Sequence, residues 1–480
     1  MSSPLRPRPP GNKRIRRRQN ATEIIKVDVA QPRREVPHVR THAQAFIAGF
    51  LVLITLATLL LSSPLTTESG ERTPWVDAVF TAMSAGAVTG LVAVDTQDHW
   101  NFLGEFVILL LIQIGGLGFM VGASLVLASL RRGASLRDNL MLQDGSPTLT
   151  LREAASLSRR ILRFTFITEG IGALLLSLRF LRDESPLVAL WYGIFHSVSA
   201  FCNAGFDLMG GYRSFTQFDE SPWINGVVIV LIQAGALSYM VFADVWEQRQ
   251  WRKLALDSKL VLLTALAVTV GGAVLFLITE WNTGLINTAT WAKPMAALFQ
   301  SASVRTCGFS TVSFSDVNSP TIFLWIGLMV IGGASGSTAG GIKLATAAII
   351  VIAVTSTLRG QPDAQAFGRR ISPSLVFRAM AIIFLFLTMF FGVTLVLAAS
   401  EDVLAHNDVT FIALMLESMS AVATAGLSTG LTPNLSDTGK LILCVAMLFG
   451  RMGPLTAVYA LQKRSRPARY RFPEEGVRLG

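Results

Sequence analysis

Eight long apolar stretches divide the chain, at roughly 45–63, 102–129, 161–181, 223–246, 260–279, 321–357, 375–399 and 438–461. Each but the sixth suits one helix crossing a hydrocarbon core, which takes about 20 residues, and the sixth is too long for one straight span. The sixth is interrupted. Residues 332–341 hold five glycines, with Ser335, Ser337 and Thr338 among them. Such a stretch is a poor helix, because glycine costs about 1 kcal/mol against alanine at each position. Nothing apolar precedes residue 45, so the first stretch is expected to be an uncleaved anchor. The gaps between the second and third, fourth and fifth, and sixth and seventh stretches are short and polar. The other gaps each contain a further apolar segment of about ten residues, too short to span.

Composition supports a membrane protein. Of 480 residues, 51% are hydrophobic and only 15% are charged, whereas a soluble domain carries about 25% charged residues. Disorder, a fibrous repeat and a disulfide scaffold are excluded. Cys202, Cys307 and Cys444 have no zinc spacing. The net charge of +10 is distributed by side. Lys and Arg number eleven in 1–44, and six, four, four and six in 130–160, 247–259, 358–378 and 462–480. They number one, two, two and none in 64–101, 181–221, 280–320 and 400–436, which hold sixteen acids. The positive-inside rule places both termini in the cytoplasm. The basic charge is therefore a topology signal rather than a nucleic-acid footprint, and no nucleic-acid partner is expected. Lys13–Arg18 either orients the tail or touches anionic membrane lipid. Trp75, Trp100, Trp191, Trp223, Trp246 and Trp291 fall near span ends, as an aromatic belt does.

The short apolar segments align on one glycine each: Gly90, Gly205, Gly308 and Gly426. Ser84-Ala85, Ser199-Ala200 and Ser420-Ala421 stand six and five residues before it, with Ala302-Ser303 in that place in the third copy. A large apolar residue follows each glycine: Leu91, Phe206, Phe309 and Leu427. The chain thus reads as four copies of span, re-entrant short helix, glycine loop and span. Non-helical backbone at membrane depth persists only when buried in protein or lining water. Four such loops on one axis form a ring of carbonyls that replaces the hydration shell of a cation. Glycine lets the backbone adopt conformations that side chains disfavour. Four glycines at one offset favour this filter over simple helix packing.

These motifs resemble the Trk/Ktr/HKT superfamily of potassium transporters, and within it the membrane subunit of bacterial Ktr systems. The resemblance covers residues 45–480. It is carried by Val88-Thr89-Gly90-Leu91, Asn203-Ala204-Gly205-Phe206, Arg305-Thr306-Cys307-Gly308-Phe309 and Ala423-Thr424-Ala425-Gly426-Leu427. It also rests on Gly332–Lys343, on Gly450-Arg451-Met452-Gly453-Pro454-Leu455-Thr456, and on Tyr470–Glu475. Cys307 stands where a small residue such as alanine is expected. The resemblance implies an all-α integral membrane fold with eight transmembrane segments around one central pore. It implies K+ as the substrate held at the filter carbonyls, and no organic cofactor. It implies a homodimer with a cytoplasmic nucleotide-binding regulatory ring as partner. In plant relatives serine at the first filter glycine accompanies sodium selectivity, and Gly90 points to potassium. The resemblance also makes Gly332, Gly333, Gly336, Ser337, Thr338, Gly340, Gly341 and Lys343 an intramembrane gate beneath the filter. Arg451 would lie beside this gate.

The remaining charged groups admit more than one role. Arg451 in the last span is costly in lipid. It either repels ions at a closed gate or makes a structural ion pair. Glu169 is expected to be a buried partner for a basic residue rather than a transport site. Asp95, Asp207 and Asp316 follow three of the glycine loops, and are either an acidic vestibule that concentrates cations or solvated loop acids. Arg305 is expected to brace filter backbone, and His196 to pack or hydrogen-bond. A phosphate loop at 332–343 fails, because Ile342 separates Lys343 from Gly341 and no strand precedes it.

The expected organisation is a basic tail (1–44), repeat 1 (45–129), repeat 2 (155–248), repeat 3 with a broken second span (259–358), repeat 4 (373–461) and a cytoplasmic tail (462–480). The expected function is a gated potassium pore. A sodium- or proton-coupled cation symporter of the same superfamily is the alternative. An intramembrane enzyme lacks any nucleophile–base or metal constellation. The C-terminal tail, with Phe472 and Pro473 between Arg471 and Glu474, serves either the dimer or the docking of the partner, and twofold symmetry favours the dimer.

Overall fold

The computed structural model describes residues 39–130, 151–314, 317–401 and 410–453. Lys13–Arg18, most of the 130–160 gap, Asp316, Pro454–Thr456 and the C-terminal tail lie outside the described residues.

A three-helix pattern recurs along the chain. It runs α1 (Val39–Leu61), α2 (Trp75–Gly86) and α3 (Phe102–Leu130), then α4 (Leu151–Phe180), α5 (Pro186–Cys202) and α6 (Pro222–Ala236) continuing into α7 (Tyr239–Gln248). Next come α8 (Leu256–Glu280), α9 (Lys293–Val304), α10 (Ser319–Met329) and α11 (Leu344–Leu358). The last are α12 (Pro373–Ser400), α13 (Phe411–Ala423) and α14 (Asp437–Met452). Local chemistry sets several starts. Proline stands in the first turn of α5, α6, α9, α10 and α12, where its missing N–H has no intrahelical role. The Ser436 hydroxyl accepts from Gly439 N at 3.0 Å and caps α14.

Packing runs between neighbouring segments in a closed cycle. α3 packs on α5, α6 on α9, α10 on α13, and α14 returns to α2. The interior holds the C-terminal turns of the four short helices, while the first turns of three reach the surface at Trp75, Leu187 and Phe411. Phe80, Phe195, Phe299 and Leu416 are each 0% exposed. The outside is the reverse: Ile278 is 72% exposed, Phe384 71% and Leu358 81%. Isolated exposed leucines mean little, but faces of this apolarity on long helices suit hydrocarbon.

Three described helices are long and apolar enough to cross a membrane alone: α4 over Ala155–Phe180, α8 and α12. The pair α6 and α7 adds a fourth span if taken together across its 93° bend. The 223–246 stretch is thus not one straight helix. Ser238, at φ 68, turns the chain sharply. α10 and α11 are separated by the glycine-rich loop expected within the sixth stretch. An all-helical chain was expected, but a short hairpin pairs β1 (Gln365–Ala366) with β2 (Arg369–Arg370) between α11 and α12.

Candidate cation-conduction site

The short helices end in one way three times. Thr89, Ala204 and Ala425 each donate their N–H, at 2.8 Å, to the carbonyls of Ser84, Ser199 and Ser420 respectively. The preceding residues Val88, Asn203 and Thr424 take left-handed φ of 56°, 59° and 49°. Two of these are β-branched, for which that conformation is a genuine outlier. The chain then reaches Gly90, Gly205 and Gly426 at φ 99°, 72° and 84°. The third copy does it in one residue fewer. Cys307 N donates to Ser303 O at 2.9 Å, and Gly308 follows at φ 95° without a left-handed residue before it. Ser303 Oγ donates to Phe309 O at 2.6 Å, as Ser199 Oγ does to Phe206 O at 2.7 Å. The counterpart of the other serines is therefore Ser303, and the alignment of Ala302 with them is corrected by one position.

The four glycines meet in cyclic order. A Cβ built on Gly90 falls against Ala204 O and 3.1 Å from Gly205 Cα. One on Gly205 falls against Cys307 O and 3.1 Å from Gly308 Cα. One on Gly308 lies 2.9 Å from both Ala425 O and Gly426 Cα. One on Gly426 falls against Thr89 O and 3.1 Å from Gly90 Cα. No side chain fits between these backbones, and only glycine holds the φ they require. All four glycines line one cavity of about 360 Å³, together with Asp95 and Asp207.

Beneath the short helices lies the loop after α10. Gly332 N donates to Ile342 O at 2.9 Å, and Ile342 N to Val330 O at 3.0 Å. Ala334 N reaches Ala236 O at 2.8 Å across the bend of the second repeat. Asn203 Nδ2 donates to Thr338 Oγ1 at 2.9 Å, and Thr338 Oγ1 to Phe201 O at 3.1 Å. Gly340 packs on Thr424 and Ala423 so closely that a Cβ there would overlap both. The loop thus touches the ends of the second and fourth short helices at once. Ser337 is buried, its hydroxyl donating to Ala334 O at 2.7 Å. Gly333 leaves room for Ser337 and Ala236, and Gly336 and Gly341 supply the positive φ of the turns. Lys343 Nζ donates to Ala339 O at 2.7 Å. Arg451 donates through Nη1 to Thr338 O, and through Nη2 to Gly115 O at 2.7 Å. Both acceptors are carbonyls, so Arg451 clamps the loop to α3.

Several groups around the cavity also hold the loops. Asp95 Oδ1 accepts from Gln97 N and Asp98 N at 3.0 Å, and its Oδ2 from Tyr212 N at 2.7 Å. Asp207 Oδ1 accepts from Met209 N at 3.1 Å. Burial pushes the Asp207 carboxyl up to about 7; the Met209 N–H opposes this and Asp95 adds to it. His196 Nε2 accepts from Leu208 N at 3.1 Å, so the proton sits on Nδ1, which donates to Tyr192 O at 2.7 Å. Arg305 is buried and donates through Nη2 to Gln233 Oε1 at 2.8 Å, a side chain rather than filter backbone. Glu169 was expected to pair with a base. Its hydrogen bonds run instead to Gln113 Nε2 at 3.1 Å and Cys202 Sγ at 3.8 Å, both neutral groups that α3 and α5 bring to that height.

Two features escaped the sequence reading. Glu417, on α13, is buried and accepts from Thr432 Oγ1 at 2.6 Å and Thr429 N at 3.1 Å, fastening the loop beyond Gly426. Gly115, Gly235 and Gly450 press against the carbonyls of Gly86, Phe201 and Val422, each four residues before a ring glycine. Their recurrence in the second spans was a visible signal once the repeat was known.

A helical assembly that gathers four backbone loops about one polar cavity is the architecture of an ion-translocating membrane protein. The TrkH family, described as cation transport protein, matches residues 28–466, and the chain belongs to that family. It is a cation transporter and not an enzyme. It is 37% identical to the Potassium/sodium uptake protein NtpJ of Enterococcus hirae, over 91% of this chain and 97% of that protein. It is 34% identical to the Ktr system potassium uptake protein B of Bacillus subtilis, over 92% and 97%. The fold matches the potassium transporter TrkH from Vibrio parahaemolyticus with a TM-score of 0.68 and 19% identity, over 88% of this chain and 85% of that one.

Proposed function

We propose that the chain is the membrane pore subunit of a potassium uptake system. Four pseudo-symmetric repeats, with eight transmembrane segments, surround one path. The ring of Gly90, Gly205, Gly308 and Gly426 is its selectivity filter, with the carbonyls of Val88, Thr89, Asn203, Ala204, Thr306, Cys307, Thr424 and Ala425 above and below. The cyclic apposition of the four glycines around a single cavity carries this reading. The names of the relatives support potassium as the ion. Residues 332–342 form a gate, held by Lys343 and Arg451, in the plasma membrane with both termini cytoplasmic. A homodimer works with a cytoplasmic nucleotide-binding ring, since relatives are named as one protein of a Ktr system.

Gly90→Ser tests the filter. Its Cβ would displace the Ala204 carbonyl, so discrimination of potassium from sodium in reconstituted liposomes should fall about tenfold, an effect of about 1.4 kcal/mol. Unchanged discrimination in a variant that elutes like the parent removes the filter assignment. In the same liposomes, potassium flux that needs no sodium or proton gradient identifies a pore; flux that needs one identifies a symporter.

A further inference from the structure

Among the described residues, the cavity above the glycine ring is lined by one basic side chain, Arg213, besides Asp95 and Asp207. A cation in a cation pathway is unexpected, since it repels the substrate. Its position is nonetheless built with care. The loop that carries it takes left-handed φ at Gly210 (71°), Gly211 (61°), Tyr212 (55°) and Ser214 (49°). At a non-glycine residue that conformation is strained and persists only where the surroundings impose it. They do so from both neighbours. Tyr212 N and Gly211 N donate to Asp95 Oδ2 and Asp98 Oδ2 at 2.7 and 2.9 Å. On the other side Ser310 N donates to Ser214 Oγ at 3.1 Å, and Phe215 N to Ser310 O at 2.9 Å. Arg213 itself curls back, with Nε donating to Gly210 O at 3.3 Å and Nη2 to Met209 O at 3.5 Å. Among the described residues no carboxylate lies within ion-pair distance of it. Its side chain lines the cavity, so its charge acts there.

We propose that Arg213 is a specificity-determining residue that keeps divalent cations out of the mouth of the path. The inference rests on the reading of the cavity as the pore's outer vestibule. Local enrichment of an ion depends exponentially on its charge times the potential, so any change felt by a monovalent ion is squared for a divalent one. A unit charge at about 8 Å in water changes monovalent occupancy about twofold to threefold, and divalent occupancy about sixfold. Arg213 thus costs little potassium and excludes much magnesium or calcium. Asp95, which lines the same cavity, supplies attraction that, alone, would favour the divalent ion.

The test uses cells that lack their own potassium uptake, with the full chain and its partner expressed, in medium of low ionic strength to limit screening. Rubidium uptake is measured against external magnesium and calcium. Arg213→Gln should lower the concentration giving half inhibition about sixfold while raising apparent rubidium affinity about twofold; Arg213→Lys should restore both. Arg213→Cys allows the charge to be changed after folding, because Cys202, Cys307 and Cys444 are all buried. A cationic thiol reagent should restore divalent tolerance and an anionic one should worsen it. Equal half-inhibition in parent, glutamine and both labelled forms overturns the proposal. If the parent conducts and Gly90→Ser alters selectivity while these variants do not differ, only the role of Arg213 has failed. If the parent shows no selective uptake, the reading of the cavity has failed.

Discussion

At the scale of single residues, backbone approach decides what each position tolerates. Gly115, Gly235 and Gly450 let the second helices reach the carbonyl ends of the short helices. Replacing one by alanine forces backbone apart rather than moving a flexible side chain, a cost in the 1–3 kcal/mol range of overpacking. Gly450→Ala should therefore lower the melting temperature in detergent and weaken potassium selectivity together; an alanine variant as stable and selective as the parent contradicts the contact. Arg451 poses a different question. Its charge was legible as an expensive group in an apolar span, but its partners were not, because Thr338 O and Gly115 O belong to loops and helices far away in sequence. A charged hydrogen bond contributes about 1.5–3 kcal/mol. Arg451→Ala removes at least these two, and should raise rubidium flux without the regulatory partner by about tenfold. Arg451→Lys, which cannot span both carbonyls, should fall between. Equal basal flux in the three proteins counts against a clamp on the gate.

At the scale of elements, apolar length and recurring glycines anticipated the short helices, the four loops and the three long apolar helices α4, α8 and α12. Three things were hidden. The bend between α6 and α7 turns at Ser238, not at a glycine or proline, so nothing in the local sequence announced it. The missing residue in the third copy was masked because the alignment was anchored on the glycine, and the serine's role shows only in its hydrogen bond to Phe309 O. The hairpin between α11 and α12 is two residues per strand, too short for alternation to register. The loop after α10 was legible from its glycines, and its contacts make it testable as a unit. It meets α5 through Thr338 and α13 through Gly340. Deleting three residues within 334–339 removes the bridge between those two helices. Basal flux should rise severalfold, read as rubidium uptake without the partner, and a stable deletion with equal or lower flux argues against a gate there.

At the scale of the whole molecule, the cycle must close between its first and last members, which are joined by no loop. The contact of α14 with α2 does this, and it contains a pair the sequence could not reveal, because its members lie at opposite ends of the chain. Lys440 Nζ donates to Asp77 Oδ1 at 2.8 Å, with side chains 9% and 15% exposed. Removing one partner of a buried pair is more damaging than removing both, since it strands the other charge. Asp77→Asn and Lys440→Met should each destabilise the fold by about 3 kcal/mol or somewhat less, given the residual exposure. The double variant should recover part of that loss. The measurement is thermal unfolding in detergent for the four proteins of the cycle, with selectivity read alongside. Because the pair joins α2, which leads to Gly90, to the helix after Gly426, the single variants should also loosen the ring at that one junction. Sodium leak should rise in both and fall back in the double variant. Additive losses with no recovery would mean that the pair does not close the ring, and that apolar packing of α14 on α2 does so alone.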